Sequence, residues 1–155
     1  MILMNLLIGF PAMLLCLVVQ VALTFWSVRY YVRKSVGSVA PQRFLAGIRP
    51  LLVAMLAMVG GNFIQITLWG ILFIRLGEFS ELYEAVSHSA VNFASLGYGD
   101  IVMSKNWKLL GPLEAINGVL MVGMTAAALM VILQQLMKAQ GNEIIATGRM
   151  NIDPD

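Results

Sequence analysis

The chain has 155 residues, 59% of them apolar and only 12% charged, with a mean hydropathy of +0.83, a balance far from that of a soluble domain of this length. Its Lys, Arg, Asp and Glu residues are clustered and leave uncharged runs at 1–28, 50–74 and 115–137. The shortest run covers roughly 35 Å as a helix, against a hydrocarbon core of about 30 Å. The chain is therefore read as an all-α integral membrane protein in contact with lipid. A soluble enzyme, a disulfide scaffold and a nucleic-acid binder are excluded, and the net charge of +2 matters less than where the basic residues sit.

The first span takes residues 1–28. Its basic residues follow the apolar stretch, whereas a cleaved signal peptide carries them before it, so this span is expected to remain. Cys16 is the only cysteine and has no intrachain partner. Residues 29–49 form a basic loop with Arg29, Arg33, Lys34, Arg43 and Arg49 and no acid, which is cytoplasmic by the positive-inside rule. A second span follows over 50–76, with Pro50 in its first turn, where the missing N–H is harmless. Gly60, Gly61 and Gly70 suit close helix packing there, and Asn62 and Gln65 can bond across such an interface.

Residues 75–114 carry Arg75, Lys105 and Lys108 against Glu78, Glu81, Glu84, Asp100 and Glu114 and read as external. The amino terminus is then outside and the carboxyl terminus inside. Within this segment residues 80–94 have helical spacing of Leu82, Tyr83, Val86, Ala90, Val91 and Phe93, with Ser80 as N-cap and Glu81 and Glu84 in the first turn. The stretch is too short to cross and is read as a re-entrant helix. Its return, Ser95-Leu96-Gly97-Tyr98-Gly99-Asp100, is an extended strand. Non-helical backbone at membrane depth survives only when buried in protein or lining an aqueous path. Glycines at alternate positions let consecutive carbonyls turn toward one axis. A third span runs over 112–137, and a short polar tail, 138–155, ends in Asp-Pro-Asp.

The sequence SLGYGD, after a re-entrant helix and before a span, resembles the selectivity-filter signature of potassium channels. The resemblance covers residues 50–137: outer helix 50–76, pore helix 80–94, filter 95–100 and inner helix 112–137, with 1–28 as an extra N-terminal span. It implies three transmembrane helices plus a pore helix and an extended filter strand, assembled as a tetramer around a central pore. The carbonyls of Ser95, Leu96, Gly97 and Tyr98 and the Ser95 hydroxyl would replace the water shell of K⁺, with Gly99 completing the filter. One filter per chain supplies one column of oxygens, so a homotetramer follows. K⁺ is then the permeant ligand, and no cofactor is implied.

Ser95 and Ala94 stand where the family usually has Thr, and Leu96 where it has Val or Ile, which loosens the packing behind the filter. Where relatives place aromatic donors to the Asp after the filter, this chain has Ser87 and His88. His88 is expected either to pack there as a neutral ring or to brace Asp100. Gly118 and Gly123 resemble the paired glycines of simple inner helices, with Gly118 as the hinge or as ordinary small-residue packing. Val119, Val122, Ala126 and Met130 fall on one stripe that would line the cavity, and Gln134 continues it. Water and the carboxyl ends of the pore helices would stabilise a cation in that cavity. Glu78, Glu81 and Glu84 would concentrate cations outside. No span carries an internal charge that could serve as a voltage sensor, no ligand-binding domain fits the tail, and the regulatory partner is unknown.

The expectation is a potassium-selective channel, not an enzyme, in a bacterial-type inner membrane. The first span is placed at the periphery, so that deleting 1–28 leaves a pore-forming core. The alternatives are a weakly selective cation channel and a non-conducting accessory subunit.

Overall fold

The computed structural model describes residues 2–35, 43–98 and 101–150. Among them the chain forms four helices and no strand: α1 (Ile2–Ser35), α2 (Arg43–Arg75), α3 (Leu82–Phe93) and α4 (Leu110–Met150). Three of these are long and apolar enough to cross a membrane, over Ile2–Lys34, Ile48–Arg75 and Leu110–Lys138. The twelve residues of α3 reach only about 18 Å. The protein is an all-α integral membrane protein, and helices are the form in which its spans satisfy their own backbone groups in lipid.

The helices outrun the apolar runs. Helix α1 continues through the basic residues to Ser35, α2 begins at Arg43, and α4 extends to Met150, so most of the expected loop and tail is helical. Lys, Arg, Gln and Glu end a membrane span but are good helix formers, and the first proline after α4 is Pro154. Pro50 consequently lies inside α2 and not in its first turn. Helix α3 starts at Leu82 with Glu81, not Ser80, in the cap position and with no side-chain cap. Its first N–H groups lie next to exposed residues, where water can serve them.

Helix α1 packs against both α2 and α4. Its buried residues are Asn5, Gly9, Cys16, Gln20, Ser27 and Tyr31, a stripe of mostly small or polar side chains, while Leu3, Leu7, Phe10, Leu14 and Phe25 face outward. In lipid, apolar side chains gain nothing by leaving the hydrocarbon, so helices associate through small and hydrogen-bonding residues. The α1–α2 crossing is close: a Cβ on Gly61 would stand 2.2 Å from Leu23 Cδ1. A Cβ on Gly70 would stand 3.0 Å from Val86 of α3. Both match the packing role expected of that span's glycines, whereas Gly60 has open space around it.

Three apolar clusters stack along the bundle. Cys16, Trp69, Phe73, Met103, Leu110 and Leu113 form one at the end where α4 begins, Ile66, Phe93 and Met121 one around the end of α3, and Tyr31, Ala54, Ile132 and Leu136 one farther along α4. A belt of side-chain amides, Gln20, Asn62 and Gln65 with Thr125, lies between the last two.

Candidate functional site: the pore loop

The end of α3 fixes where the SLGYGD segment begins. The Leu96 N–H donates to the Val91 carbonyl at 2.9 Å and the Ser95 N–H to the Asn92 carbonyl at 2.8 Å, which is a complete Schellman closure. Its left-handed position, usually glycine, is taken by Ser95 with φ 57°, at a cost of about 1 kcal/mol for a side chain there. Gly97 is also left-handed, at φ 56°. Residues 95–98 are thus outside regular structure and exposed, with Leu96 and Tyr98 more than half accessible, at 56% and 67%. The negative end of the α3 dipole lies at their start. Gly99 and Asp100 lie outside the described residues.

Helix α4 braces this turn from behind. A Cβ on Gly118 would stand 2.0 Å from the Phe93 carbonyl oxygen, so only glycine lets α4 approach the last residue of α3 so closely. Gly118 is buried there, and this close contact with α3 is the small-residue packing that was the alternative to a hinge. Val119, Val122, Ala126 and Met130 do share an exposed face of α4, and Gln134 is exposed as well.

Sequence reasoning missed Glu114. The sequence reading places it with the external acids, yet it is in α4, fully buried at 0% exposure, and inside a spanning segment, so that span does carry an internal charge-bearing group. The Ser89 hydroxyl contacts Glu114 Oε1 and the Ile66 carbonyl of α2 at 2.7 Å. Asn92 Nδ2 donates to Glu114 Oε2 at 3.2 Å. Ser89 and Asn92, one turn apart on α3, therefore tie the pore helix to both neighbours. The available signal was register: Glu114, Gly118, Met121 and Thr125 follow one another at helical spacing on one face.

Asn92 also reaches His88, with its Nδ2 3.0 Å from Nε2. The imidazole lies tilted against Phe79 and meets Phe73 edge-on, at centroid distances of 5.1 and 5.8 Å. Burial holds its pKa below the ordinary value, against the opposing pull of Glu78. The neutral ring can accept the Asn92 amide proton. His88 and Ser87 border a cavity of about 470 Å³ with Gly97, Tyr98 and Lys108, which is room for several waters. The expected contact of His88 with Asp100 falls outside the described residues. Of the acids that the sequence reading places outside, Glu78 accepts from the Ser104 N–H at 2.6 Å and from its hydroxyl at 2.5 Å, tying the turn before α3 to the segment after SLGYGD, while Glu81 and Glu84 are exposed.

Two membrane helices flanking a short re-entrant helix and its irregular return define a pore-loop protein. A family model described as an ion channel matches residues 51–135, more than half of the chain, and the protein belongs to this family of two-span pore-loop channels. The match begins in α2 and ends in α4, so α1 is an addition to it. No curated protein matches the chain, and no solved structure does.

Proposed function

We propose that the protein is a potassium-selective channel that conducts K⁺ passively as a homotetramer in a bacterial-type inner membrane, with its amino terminus outside and its carboxyl terminus in the cytoplasm. The observation that carries this reading is the exposed, non-helical segment Ser95, Leu96, Gly97 and Tyr98, launched from the end of a short helix that α2 and α4 hold by buried polar bonds. Family membership supports a channel, and the SLGYGD sequence supports K⁺ as the ion. The exposed face of Val119, Val122, Ala126 and Met130 would line the shared cavity, and the basic residues between the first two spans set the orientation.

Ion flux through the purified protein in liposomes, with K⁺ and Na⁺ compared, tests the proposal. K⁺ flux well above Na⁺ flux is expected. Equal fluxes would favour a weakly selective cation pore, the second reading, which the missing β-branches at Ser95 and Leu96 favour. No flux of either ion would leave the accessory-subunit reading.

A further inference from the structure

Helices α1 and α2 touch where Gly61 meets Leu23 and are bonded where Gln65 meets Gln20. Farther along the same pair they leave a groove of about 390 Å³ between residues 8–16 and 68–75. Half of this groove comes from α1, which lies outside the ion-channel match. Cys16 and Trp69 form its floor, each 1% exposed, and Pro11, Leu15 and Ile71 at its rim are exposed. It runs roughly 10–12 Å along each helix, inside two spanning segments. Arg75, at its α2 end, is the only charged residue that lines it.

Arg75 is exposed and, among the described residues, enters no ion pair or side-chain hydrogen bond. Glu78, the nearest acid in sequence, is engaged through both carboxylate oxygens with Ser104. Its depth is set by the span it ends: 28 residues, Ile48–Arg75, cover about 42 Å, against about 40–45 Å for a bilayer with its headgroups. The guanidinium therefore stands at the level of the lipid phosphates, with an apolar groove leading from it into the hydrocarbon. We propose that this groove binds one anionic phospholipid per chain, with an acyl chain between α1 and α2 and the phosphate on Arg75. A guanidinium pairs with phosphate through two parallel N–H bonds. The chain gains little by leaving other lipid for the groove, so the groove sets where a lipid lies and Arg75 sets which lipid it is. A zwitterionic headgroup brings its own ammonium to the phosphate, whereas an anionic one leaves that charge to Arg75. The inference needs the membrane location alone and stands whether or not the protein conducts.

Trp69 in the floor supplies the probe. The full-length protein, with Trp26 and Trp107 replaced by Phe so that one of its three tryptophans remains, is placed in phosphatidylcholine bilayers. Quenching of Trp69 is then followed as brominated phosphatidylglycerol, phosphatidylcholine or diacylglycerol is added. Phosphatidylglycerol should quench at roughly one tenth the mole fraction that the other two require, the factor for one charge-assisted hydrogen bond. Arg75→Gln should bring the three lipids together, and Arg75→Lys, which keeps the charge without the fork, should retain part of the preference. Ala12→Phe, which fills the groove, should lower quenching by every lipid. Equal quenching by the three lipids in wild type, or a preference unchanged in Arg75→Gln, overturns the proposal. Quenching unchanged in Ala12→Phe places the lipid elsewhere and overturns it as well. Loss of ion flux with the lipid preference intact would bear on the channel reading and not on this site.

Discussion

Two residues of the pore loop carry consequences that can be measured singly. Gly97 is left-handed at φ 56° and a Cβ there would meet no neighbouring atom, so Gly97→Ala tests backbone geometry free of steric clash. The substitution should cost about 1 kcal/mol in each subunit, and the filter should respond by losing K⁺ preference or conduction while the protein still assembles. A flux ratio unchanged in Gly97→Ala would separate this segment from selection. His88 is the second residue. Its imidazole pKa is held down by burial, with Glu78 opposing; Lys108 shares the adjoining cavity, and Glu114 lies beyond Asn92. A ring that resists protonation when folded contributes stability above its unfolded pKa. That contribution falls away as pH drops below about 6.5, because the unfolded chain then binds a proton that the folded one refuses. Protonated Nε2 can no longer accept from Asn92. Flux should therefore hold steady from about pH 8 to 6.5 and decline below, and His88→Gln, which keeps an acceptor without a titration, should remove the acid limb. An acid limb identical in that variant would exclude His88 from it.

Among the elements, α3 depends on what its neighbours offer it. Twelve residues that open without a side-chain cap are marginal alone. Buried bonds from Ser89 and Asn92 to Glu114 and Ile66 supply what the local sequence lacks. Glu114→Gln preserves an acceptor for the Asn92 amide and a donor for Ser89 Oγ, and should assemble and conduct much as wild type. Glu114→Leu removes one partner each from Ser89 and Asn92, which keep the Ile66 carbonyl and His88 Nε2, at about 1 kcal/mol per lost bond, and should lower the thermal stability of the assembled protein measurably. Equal melting of the two variants would show that the carboxyl does not hold α3. Much of this element was legible in the sequence: the spacing of Leu82, Val86, Ala90 and Phe93 gave a short helix, and Gly97 in SLGYGD marked the irregular return. Glu114 was not legible, because a lone acid near a span boundary looks the same whether water or a partner helix receives it. The bonds to Ser89 and Asn92 that decide the matter join positions 25 and 22 residues away.

For the molecule as a whole, the apolar runs disclosed three spans but not how the first is used. A stripe of Asn5, Gly9, Cys16, Gln20 and Ser27 is an unremarkable interruption in hydropathy, yet it is the face that α1 buries against α2 and α4. Removing residues 1–28 would leave Gln65 and Thr125 without Gln20 and open the cluster that includes Cys16 and Trp69. The truncated chain should therefore fail to give a stable assembly by native mass spectrometry, where the full chain is expected to give the proposed tetramer. A truncated tetramer of wild-type stability would show that these contacts do not hold the assembly together. Selection of K⁺ itself is tested most directly by the reversal potential of the full-length protein in a planar bilayer with K⁺ on one side and Na⁺ on the other. A filter built from the carbonyls of Ser95, Leu96, Gly97 and Tyr98 should place reversal far toward the K⁺ equilibrium potential, and reversal near zero would contradict it.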